Sequence, residues 1–440
     1  MNMEPLGDWR RNKFVSDISS DDFESEVTVA GWIQDIRNLG GIAFILLRDR
    51  TGVLQLTAIK KHHGEDFFRK ITTLARESVI VVKGKVQPNE QVASGFEILP
   101  CEFKVVGVAK TPLPLGVVDK VEADMDTRLD SRFIDLRKEE IAAVFKIRST
   151  ILAACREVFE KEGFIEVHTP KIVATATEGG TALFQAQYFE KKAYLNQSPQ
   201  LYKQMLMATG FDRVYEIGPA FRAEEHDTTR HLNEFTSIDI EMAFADEEDA
   251  MGILEKCVYN AVLKTREVNE SDMRILGTDI DIPALPLQRV TYSECLDIIK
   301  EGGYYMNWGE DFPMEAMKIL GERIPDFFFI TKWPTKSKPF YTQPFEDNPE
   351  ICRGFDLQYK EKEITSGAQR VSDVNLLKRR LEEQGLNPKE FKFYLDAFEY
   401  GMPPHAGWGL GAERLTMIIT GMQNIRECVL FPRDRKRLVP

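Results

Sequence analysis

The stretch from Phe221 to Phe244, FRAEEHDTTRHLNEFTSIDIEMAF, constrains the fold of this 440-residue chain more than any other segment. It predicts two strands joined by a charged loop, because apolar and polar residues alternate with the spacing of a β-strand. On the second strand the apolar face comprises Ile238, Ile240, Met242 and Phe244, and the other face comprises Phe235, Ser237, Asp239 and Glu241. If the apolar face is buried, the polar face stays accessible, and Arg222 and Glu224 of the first strand lie on it. Arg230 and His231 of the loop would then stand above this polar surface. Aromatic rings stack on bases and arginines bind phosphate oxygens, so the segment predicts a nucleotide site. An ordinary half-buried hairpin with a solvated polar face is the alternative.

The residues of this hairpin also resemble a known motif. The FRAE tetrapeptide, the loop ending in RHLNEF and the IDIEM strand resemble motif 2 of the class II aminoacyl-tRNA synthetases, in the form found in the aspartyl enzymes. The closing stretch, GWGLGAERLTMIITGMQNIRECVLFPRDRKRLVP, resembles motif 3. The resemblance spans nearly the whole chain and is closest to the archaeal and eukaryotic branch. It implies an α+β fold, with an N-terminal OB-fold β-barrel and a class II catalytic domain whose antiparallel sheet is flanked by helices.

The expected domains follow the order of these segments. Residues 1–107 are interpreted as an OB-fold anticodon-binding domain, because five strand-like segments with one helical stretch before the fourth are typical of that barrel. Residues 108–136 are rich in Pro, Gly and charge and are interpreted as a hinge and linker. Residues 137–440 form the expected catalytic domain.

Four barrel residues are candidates for reading an anticodon. The resemblance places Phe44 and Gln55 where the family uses a stacking ring and a base-reading amide. Arg37, in the turn before Phe44, is a candidate phosphate or base contact, and Glu97 is the fourth candidate. The alternative for Phe44 is a residue of the barrel core, since aromatic side chains are usually buried.

Composition limits the class of protein and its location. The net charge of -13 argues against a generally basic nucleic-acid-binding surface, although local basic surfaces remain compatible with it. The six cysteines are scattered without a CxxC pair, which favours reduced thiols over a zinc site or a disulfide framework. The N-terminus lacks the apolar core of a signal peptide, and no run approaches the length of a membrane span. These features predict a soluble, cytoplasmic protein with no membrane partner.

The segment 139–162 predicts a long helix, because its apolar residues recur at helical spacing. Arg148 lies inside the apolar stripe and requires a partner if the stripe is buried. The helix and the following strand, which ends at Pro170, resemble motif 1, which forms the dimer interface of the class II enzymes. A homodimer is therefore implied by the resemblance, and a simple amphipathic surface helix is the alternative.

Two segments between motifs 1 and 2 resemble the amino-acid site of the family. Glu178, followed by two glycines, lies in what the resemblance identifies as a loop that closes over the amino acid; a plain turn is the alternative. Gln200 and Lys203 share a face of the helix that begins near Pro199. A lysine on a helix is usually a surface charge. In the aspartyl enzymes, however, this lysine meets the side-chain carboxylate of the substrate.

A later hairpin resembles the family's magnesium site. In RGFDLQYKEKEITSGAQR, the resemblance assigns Glu363 and Ser366 to the metal and Arg370 to the substrate carboxylate. Mg²⁺ takes few protein oxygens and keeps phosphates and waters as ligands, so one carboxylate and one hydroxyl suffice. The preceding segment 247–340 has no chemical signature and is interpreted as scaffold, and WPTKSKPFYTQPF is expected to cover the edge of the site.

The resemblance therefore implies two sets of site residues, with ATP and Mg²⁺ as cofactors. The implied ATP-binding residues are Arg222, Glu224, Arg230, His231, Leu232, Phe235, Glu363, Gly411 and Arg414, of which Arg222 and Arg414 are the catalytic pair. The implied aspartate-binding residues are Glu178, Gln200, Lys203, Asp239, Ser366, Arg370 and His405. A structural histidine is the alternative for His405.

The implied reaction is the ATP-dependent formation of aspartyl-adenylate, followed by transfer of the aspartyl group to tRNA(Asp). Aspartate and asparagine have nearly the same shape, so charge must separate them. Lys203 and Arg370 would both be left unpaired by asparagine, and an unpaired buried charge costs roughly 3–5 kcal/mol. Lys203 therefore favours aspartate.

Several alternatives stay open at this point. The enzyme charges either tRNA(Asp) alone or tRNA(Asn) as well, and that choice is expected to lie in the barrel around Gln34 and the Pro88–Ser94 loop. An asparaginyl-tRNA synthetase is one alternative, which Lys203 disfavours. A synthetase-derived paralogue without aminoacylation activity, or one that makes asparagine from aspartyl-adenylate, is another. The presence of Arg222, Arg414, Glu363 and Ser366 argues against a paralogue that has lost its phosphate and metal residues.

Overall fold

The chain divides into two compact units, Met1–Ala123 and Asp124–Pro440. The structure is a computed structural model, and it describes residues 2–118, 123–174, 183–225 and 228–440. Within the described residues, no helix combines the length and apolar character needed to cross a membrane.

The first unit is a closed five-stranded barrel. Its strands are β1 (Glu26–Asn38), β2 (Ile42–Arg48), β3 (Val53–Ile59), β4 (Val79–Pro88) and β5 (Phe96–Gly107), and they pair in the order β1-β2-β3-β5-β4. Two helices, α1 (Lys60–His63) and α2 (Glu65–Thr72), lie between β3 and β4 where the sequence predicts one. Alternate residues of each strand fill the barrel, so that Ile33, Ile45 and Leu56 are fully buried. The predicted OB-fold is confirmed.

The second unit is built on an eight-stranded sheet with the strand order β12-β13-β14-β15-β16-β11-β10-β6. Neighbours from β13 to β10 are antiparallel, and the two edge strands pair in parallel. The strands are β6 (Ile165–Glu166), β10 (Arg213–Phe221), β11 (Glu234–Ala243), β12 (Gln288–Thr291), β13 (Phe327–Thr331), β14 (Gly354–Tyr359), β15 (Lys362–Gln369) and β16 (His405–Gly411). A separate sheet contains β7 (Ile172–Val173), β8 (Gln185–Tyr188) and β9 (Lys191–Leu195). This architecture confirms the predicted class II catalytic fold.

Helices flank the large sheet. They are α3 (Met125–Asp130), α4 (Arg132–Asp135), α5 (Glu139–Lys161), α6 (Gln200–Leu206), α7 (Glu247–Val268), α8 (Glu270–Leu276), α9 (Tyr292–Glu301), α10 (Met314–Arg323), α11 (Val374–Glu383), α12 (Lys392–Glu399) and α13 (Ala412–Thr420). Helices α5 and α7 pack on one face and form the main core with apolar residues of β11, β14 and β16. Helix α7 begins at a capping box formed by Asp246 and Asp249, which satisfies the free backbone amides of its first turn.

The apolar face predicted for β11 is correct except at its end. Ile238, Ile240 and Met242 are buried, whereas Phe244 is 76% exposed. The strand ends at Ala243, and Phe244 has a left-handed backbone with a φ of 56°. The alternation therefore stops one position earlier than predicted, because the chain turns there.

The predicted linker is not irregular throughout. Helices α3 and α4 lie within residues 108–136, and the Arg132 guanidinium is buried against the Asp135 carboxylate at 2.7 Å. The guanidinium also donates to backbone carbonyls of Val429 and Leu430. These contacts join the segment to the C-terminal part of the second unit, while residues 119–122 lie outside the described residues.

Candidate active site

A cavity of about 280 Å³ opens over the middle of the large sheet. Its floor is formed by β11, β15 and β16, and its rim by α6, the segment around Pro339 and the start of α13. Most of the predicted site residues line it, namely Gln200, Arg222, Glu224, Arg230, His231, Leu232, Phe235, Asp239, Glu363, Ser366, Arg370, Gly411 and Arg414. The structure thus brings together residues from motifs that are far apart in the sequence.

Three predicted residues are placed differently. Lys203 and His405 are buried and do not line the cavity. Glu178 lies outside the described residues.

The strand β16 provides an open floor because every second residue is glycine. Gly407 pairs with Glu241 and Gly409 pairs with Asp239 across β11. A Cβ at Gly409 would lie 3.1 Å from Asp239 Oδ1, and a Cβ at Gly407 would lie 2.4 Å from Glu241 Oε2. Side chains at these positions would displace the carboxylates, so the glycines are required by the neighbouring strand as well as by the cavity.

Arg222 and Glu224 lie just beyond β10, not on it as predicted, because the strand ends at Phe221. The Asn233 side chain donates to the carbonyls of both residues, at 2.7 and 3.2 Å. These bonds fix the backbone past the strand end and place the Arg222 guanidinium 5.3 Å from the centroid of the Phe235 ring. A cation and an aromatic face are therefore held together at one end of the cavity.

Helix α5 supports this end of the cavity through Arg148. The guanidinium donates to Glu413 Oε1 and Thr236 Oγ1, each at 2.8 Å. Glu413 also accepts two hydrogen bonds from the Thr236 amide at 3.1 Å. Burial raises the pKa of Glu413, and the nearby Arg148 opposes that rise. Arg148 thus has the partner that its place in the apolar stripe requires.

Arg414, Arg230 and His231 line the same cavity as Glu363. Arg414 donates to the Glu363 carbonyl at 3.0 Å, and Arg230 donates to the sulfur of Met314 at 3.1 Å. The pKa of His231 is lowered, first by burial and then by the charge of Arg414. The imidazole is therefore neutral near pH 7 when no anion is bound. A bound polyphosphate would meet two guanidiniums and an imidazole that can gain a proton.

A β-bulge places Glu363 and Ser366 on the same side of β15. Residues three apart on a regular strand face opposite ways. Leu357 pairs with Thr365 and Gln358 pairs with Glu363, so Ile364 is an extra residue on β15. The extra residue brings Glu363 to the same face of the strand as Ser366, and both side chains line the cavity.

The donor set around Glu363 fits a divalent cation. Asp356 pairs with Ser366 across β14 and β15, and its Oδ1 is buried with no hydrogen-bond partner among the described residues. The pKa of Glu363 is raised by desolvation and by the charge of Asp356. Two neighbouring carboxylates, one with an unused oxygen, and a hydroxyl are ligands that Mg²⁺ accepts.

Four charged groups are buried below the other end of the cavity. Lys203 Nζ lies 2.9 Å from Asp239 Oδ1 and 3.7 Å from Glu241 Oε2. Arg370 donates to both oxygens of Glu241, at 2.9 and 3.2 Å. The sequence-based expectation that asparagine would leave Lys203 and Arg370 without partners is therefore incomplete, because each cation already has a protein carboxylate beside it.

His405 acts on the cavity through other side chains. Its Nδ1 lies 2.8 Å from the Pro403 carbonyl and must carry the proton, so Nε2 accepts from Gln204 Nε2 at 3.0 Å. Burial lowers the pKa of His405, which keeps the ring neutral. Gln200 then donates to Gln204 Oε1 at 2.9 Å. His405 thereby orients Gln200, and the direct contact with an amino acid that the resemblance implies is not supported by this position.

The predicted anticodon residues lie on the outer surface of the barrel unit. Arg37 pairs with Phe44, and Phe44 pairs with Thr57, in one row across β1, β2 and β3. Phe44 is half-buried and lies outside the barrel core. Gln55 donates to Glu97 Oε2 at 2.9 Å. The barrel therefore presents a ring, a guanidinium and an amide on one face.

Sequence reasoning missed three charged residues of the site. Glu241 stands on the same face of β11 as Asp239, so the strand alternation already contained a signal for it. Glu413 precedes Arg414 and is held by Arg148, which the sequence could not reveal. Lys338 lines the cavity from WPTKSKPFYTQPF, the segment expected to cover the edge of the site, but the sequence did not single out this residue.

The comparisons with known proteins agree with this geometry. Residues 124–435 match the family described as tRNA synthetases class II (D, K and N), and residues 27–106 match the OB-fold nucleic acid binding domain family. The chain is 55% identical to the aspartate–tRNA(Asp/Asn) ligase of Methanocaldococcus jannaschii, covering 98% of this chain and 99% of that protein. It is 53% identical to the enzyme of the same name from Methanothermobacter thermautotrophicus, covering 99% and 100%.

Solved structures show the same similarity. The asparaginyl-tRNA synthetase of Pyrococcus horikoshii, complexed with asparaginyl-adenylate, superimposes with a TM-score of 0.92 at 32% identity, over 98% of this chain and 100% of that one. The aspartyl-tRNA synthetase of Entamoeba histolytica superimposes with a TM-score of 0.89 at 30% identity, over 100% and 96%. The family matches, the full-length relatives and the two-unit fold together confirm the predicted family: the chain belongs to the class II tRNA synthetases of the D, K and N group.

Proposed function

We propose that this chain is an aspartate–tRNA ligase that forms aspartyl-adenylate from L-aspartate and ATP and transfers the aspartyl group to tRNA. In the first step the α-carboxylate of aspartate attacks the α-phosphorus and pyrophosphate leaves. In the second step the terminal ribose hydroxyl of the tRNA attacks the acyl carbon and AMP leaves. The observation that carries the proposal is the buried Lys203, which is held beneath the cavity beside Asp239 at 2.9 Å.

Selection of aspartate follows from an exchange of partners. We assign the substrate ammonium group to Asp239 and Gln200, with Glu178 as a third ligand. When Asp239 turns to the ammonium group, Lys203 loses its nearest carboxylate and takes the side-chain carboxylate of aspartate instead, alongside Arg370. The amide of asparagine carries no charge, so it would leave Lys203 buried without a full partner. Such a loss costs roughly 3–5 kcal/mol, which corresponds to a discrimination of about a hundredfold to several thousandfold.

The nucleotide is assigned to the opposite end. Arg222 holds the α-phosphate, Arg414 holds the γ-phosphate, and Arg230 and His231 contact the bent triphosphate. Phe235 stacks on adenine from one side and Arg414 from the other, while Glu224 contacts the edge of the base. The backbone of Gly411 and the side chain of Leu232 complete the lining of this end of the cavity. The reaction needs no covalent enzyme intermediate, so positioning and neutralisation of charge supply the catalysis.

Glu363 and Ser366 would hold Mg²⁺, with Asp356 beside them. The ion, when bound, would reduce the negative charge that the aspartate carboxylate must approach. The orphaned Oδ1 of Asp356 supports this assignment.

The barrel is assigned to the anticodon, with Phe44 stacking on a base and Gln55, Arg37 and Glu97 contacting its neighbours. We propose that both tRNA(Asp) and tRNA(Asn) are charged, because the full-length relatives from several archaea carry the name aspartate–tRNA(Asp/Asn) ligase. We also propose a homodimer that pairs through α5 and the strand after it, where Ile165 is an exposed apolar residue. Leu430 and Phe431 of the C-terminal segment are also exposed and line a cavity together with residues of α5.

The test is aminoacylation of purified tRNA(Asp) and tRNA(Asn) transcripts with labelled aspartate and, separately, labelled asparagine. We expect both tRNAs to accept aspartate and neither to accept asparagine. Lys203→Leu should abolish aspartylation, and Lys192→Leu, at an exposed lysine, should not. Charging of asparagine would assign the chain to the asparaginyl enzymes. ATP binding without charging of either tRNA would assign it to the paralogues.

A further inference from the structure

A second cavity, of about 620 Å³, adjoins the first. Five residues line both cavities, namely Arg230, His231, Lys338, Glu363 and Arg414. Four of these are assigned above to the triphosphate or its metal. Lys338 is the fifth, and it has neither a predicted role nor a role in the proposed function.

Lys338 is held in place by two contacts. Its Nζ lies 2.5 Å from Asp356 Oδ2 and 4.2 Å from the centroid of the Trp333 ring. Its side chain is only 12% exposed, so the ammonium group is fixed at the junction of the two cavities instead of extending into solvent. An ordinary surface lysine keeps its ammonium group in water, whereas that of Lys338 is held beside Asp356 and Trp333.

Asp356 has a second carboxylate oxygen that accepts no hydrogen bond from any described residue. The residue is 1% exposed, and Oδ1 has no hydrogen-bond partner among the described side chains and backbone groups. Asp356 also stands opposite Ser366 on the neighbouring strand. One oxygen of this carboxylate is therefore neutralised by Lys338, while the other has no hydrogen-bond donor, on a strand that pairs with the one carrying Glu363 and Ser366.

We propose that Lys338 is a phosphate-binding residue, which neutralises Asp356 in the nucleotide-free protein and moves to the β- or γ-phosphate of ATP when the nucleotide arrives with its divalent cation. This inference rests on the proposed function, because it needs ATP in the first cavity. A side chain with a flexible four-carbon stem can make this change without movement of the backbone. Lys338 then contacts the phosphates that become pyrophosphate, while Asp356 is free to join Glu363 and Ser366 at the metal.

The proposal makes three predictions for Lys338→Met, one for ATP and ADP, one for AMP and one for a divalent cation. Affinity for ATP and ADP should fall about tenfold to a hundredfold, because a charge-assisted hydrogen bond to phosphate is lost. Affinity for AMP should be unchanged, because Lys338 does not reach the α-phosphate. Affinity for a divalent cation without nucleotide should rise, because Asp356 and Glu363 would face each other with no ammonium group between them.

The experiment uses the full-length chain and direct binding measurements. Equilibrium dialysis with ATP, ADP and AMP gives the affinity ratios, and Mn²⁺ binding followed by electron paramagnetic resonance gives the cation affinity. Lys338→Arg keeps the charge and should retain much of the preference for ATP over AMP. Lys336→Met removes an exposed lysine two residues away and is the matched control, expected to equal the wild type in every measurement. Thermal unfolding of each variant shows whether it is folded.

The possible outcomes are distinct. A fall in ATP and ADP affinity with unchanged AMP affinity, together with tighter Mn²⁺ binding, supports the proposal. An unchanged ratio of ATP to AMP affinity in a folded Lys338→Met variant overturns it and leaves a structural role for the Lys338–Asp356 pair. If the wild type binds no ATP, the proposed function itself fails, and the wild-type measurement alone shows this.

Discussion

Arg148 of α5 and Glu413 of α13 form a 2.8 Å ion pair beneath the nucleotide end of the cavity. Thr236 completes the contact by donating its amide to Glu413 and accepting from Arg148. Thr236 follows Phe235 in the chain, and Glu413 precedes Arg414. The Arg148–Glu413 pair therefore supports the backbone beside Phe235 and Arg414, the two residues assigned to adenine. Helix α5 is also the helix assigned to the dimer contact, and the Arg148–Glu413 pair connects that helix directly to the proposed nucleotide site.

Replacement of Arg148 by Ala should destabilise the protein by roughly 3 kcal/mol, because the buried Glu413 carboxylate would lose its counter-charge. Urea unfolding measures this loss. Arg156→Ala on the same helix is the matched control, since its pair with Glu166 is longer, at 3.5 Å, and more exposed; its effect should stay below about 1 kcal/mol. The double variant Arg148→Met, Glu413→Gln should regain part of the lost stability. If the double variant regains no stability, the unpaired Glu413 charge is not the cause of the destabilisation.

Lys203→Gln should reduce kcat/KM for aspartate by at least about a hundredfold and leave the affinity for ATP unchanged. Lys203 is buried under the amino-acid end and does not line the cavity near Phe235. ATP–pyrophosphate exchange at varied aspartate, with ATP binding measured separately, tests this. The double variant Lys203→Gln, Asp239→Asn balances the charges again and should recover thermal stability but not activity. Recovery of activity in the double variant would contradict the assignment of Lys203 to the substrate.

The buried His405 should make stability depend on pH. Burial lowers the pKa of His405 in the folded protein below the value of about 6.5 for an exposed imidazole. A group with a lowered folded pKa contributes its full stabilisation above the unfolded value and loses it as the pH falls toward the folded pKa. The free energy of unfolding should therefore fall as the pH is lowered from about 6.5.

His405→Asn removes the titration while its amide nitrogen can still donate to the Pro403 carbonyl. The pH profile of this variant should be flatter than that of the wild type in the same range, as measured by urea unfolding at a series of pH values. Parallel profiles would show that another group, such as His231, causes the pH dependence.

Phe44→Ala should raise KM for tRNA in aminoacylation and leave ATP–pyrophosphate exchange unchanged. The ring is half-buried on the outside of the barrel, and a stacked base contributes about 1–3 kcal/mol. Phe68→Ala, in the barrel core, is the contrasting variant and should lower stability instead. A loss of barrel stability in Phe44→Ala, without a change in KM for tRNA, would show that Phe44 has a structural role in the barrel, which is the alternative given in the sequence analysis.

Gly367→Ala should destabilise the catalytic unit by about 1–3 kcal/mol, because the core there is already filled. A Cβ at Gly367 would lie 2.4 Å from Phe355 Cζ and 2.7 Å from Trp408 Cβ. Gly252 in α7 has nothing within 4 Å of its Cβ position, so Gly252→Ala should be neutral or stabilising, by up to about 1 kcal/mol. Thermal unfolding of both variants gives the comparison, and equal effects of the two would show that packing around Gly367 is not tight.

The parts of the site that could be predicted are those that depend on local periodicity. The alternation along β11 places Ser237, Asp239 and Glu241 on one face, and this pattern is visible without a structure. It fails at Phe244, where the chain leaves the strand, because a turn is governed by the backbone and not by the apolar pattern.

The parts that could not be predicted depend on contacts between distant segments. The partners of Lys203 and Arg370 come from β11, and nothing in the helix or hairpin that carries these cations identifies them. Arg148 could be recognised as anomalous within its stripe, but Glu413 lies far along the chain. Lys338 gave no signal, because a lysine in a proline-rich loop has the same local sequence whether it faces solvent or a cavity.

The bulge at Ile364 limits how the hairpin of β14 and β15 can change in length. A one-residue deletion or insertion between Glu363 and Ser366 would turn these residues to opposite faces, and one of the two proposed metal ligands would then face the core. The tip is outside the bulge and does not line the first cavity, although its backbone packs against Gly321 of α10. Lys360 has a left-handed backbone there, with a φ of 52°. Length variation among homologous hairpins should therefore accumulate at Lys360 and Glu361, while the spacing from Glu363 to Arg370 stays constant.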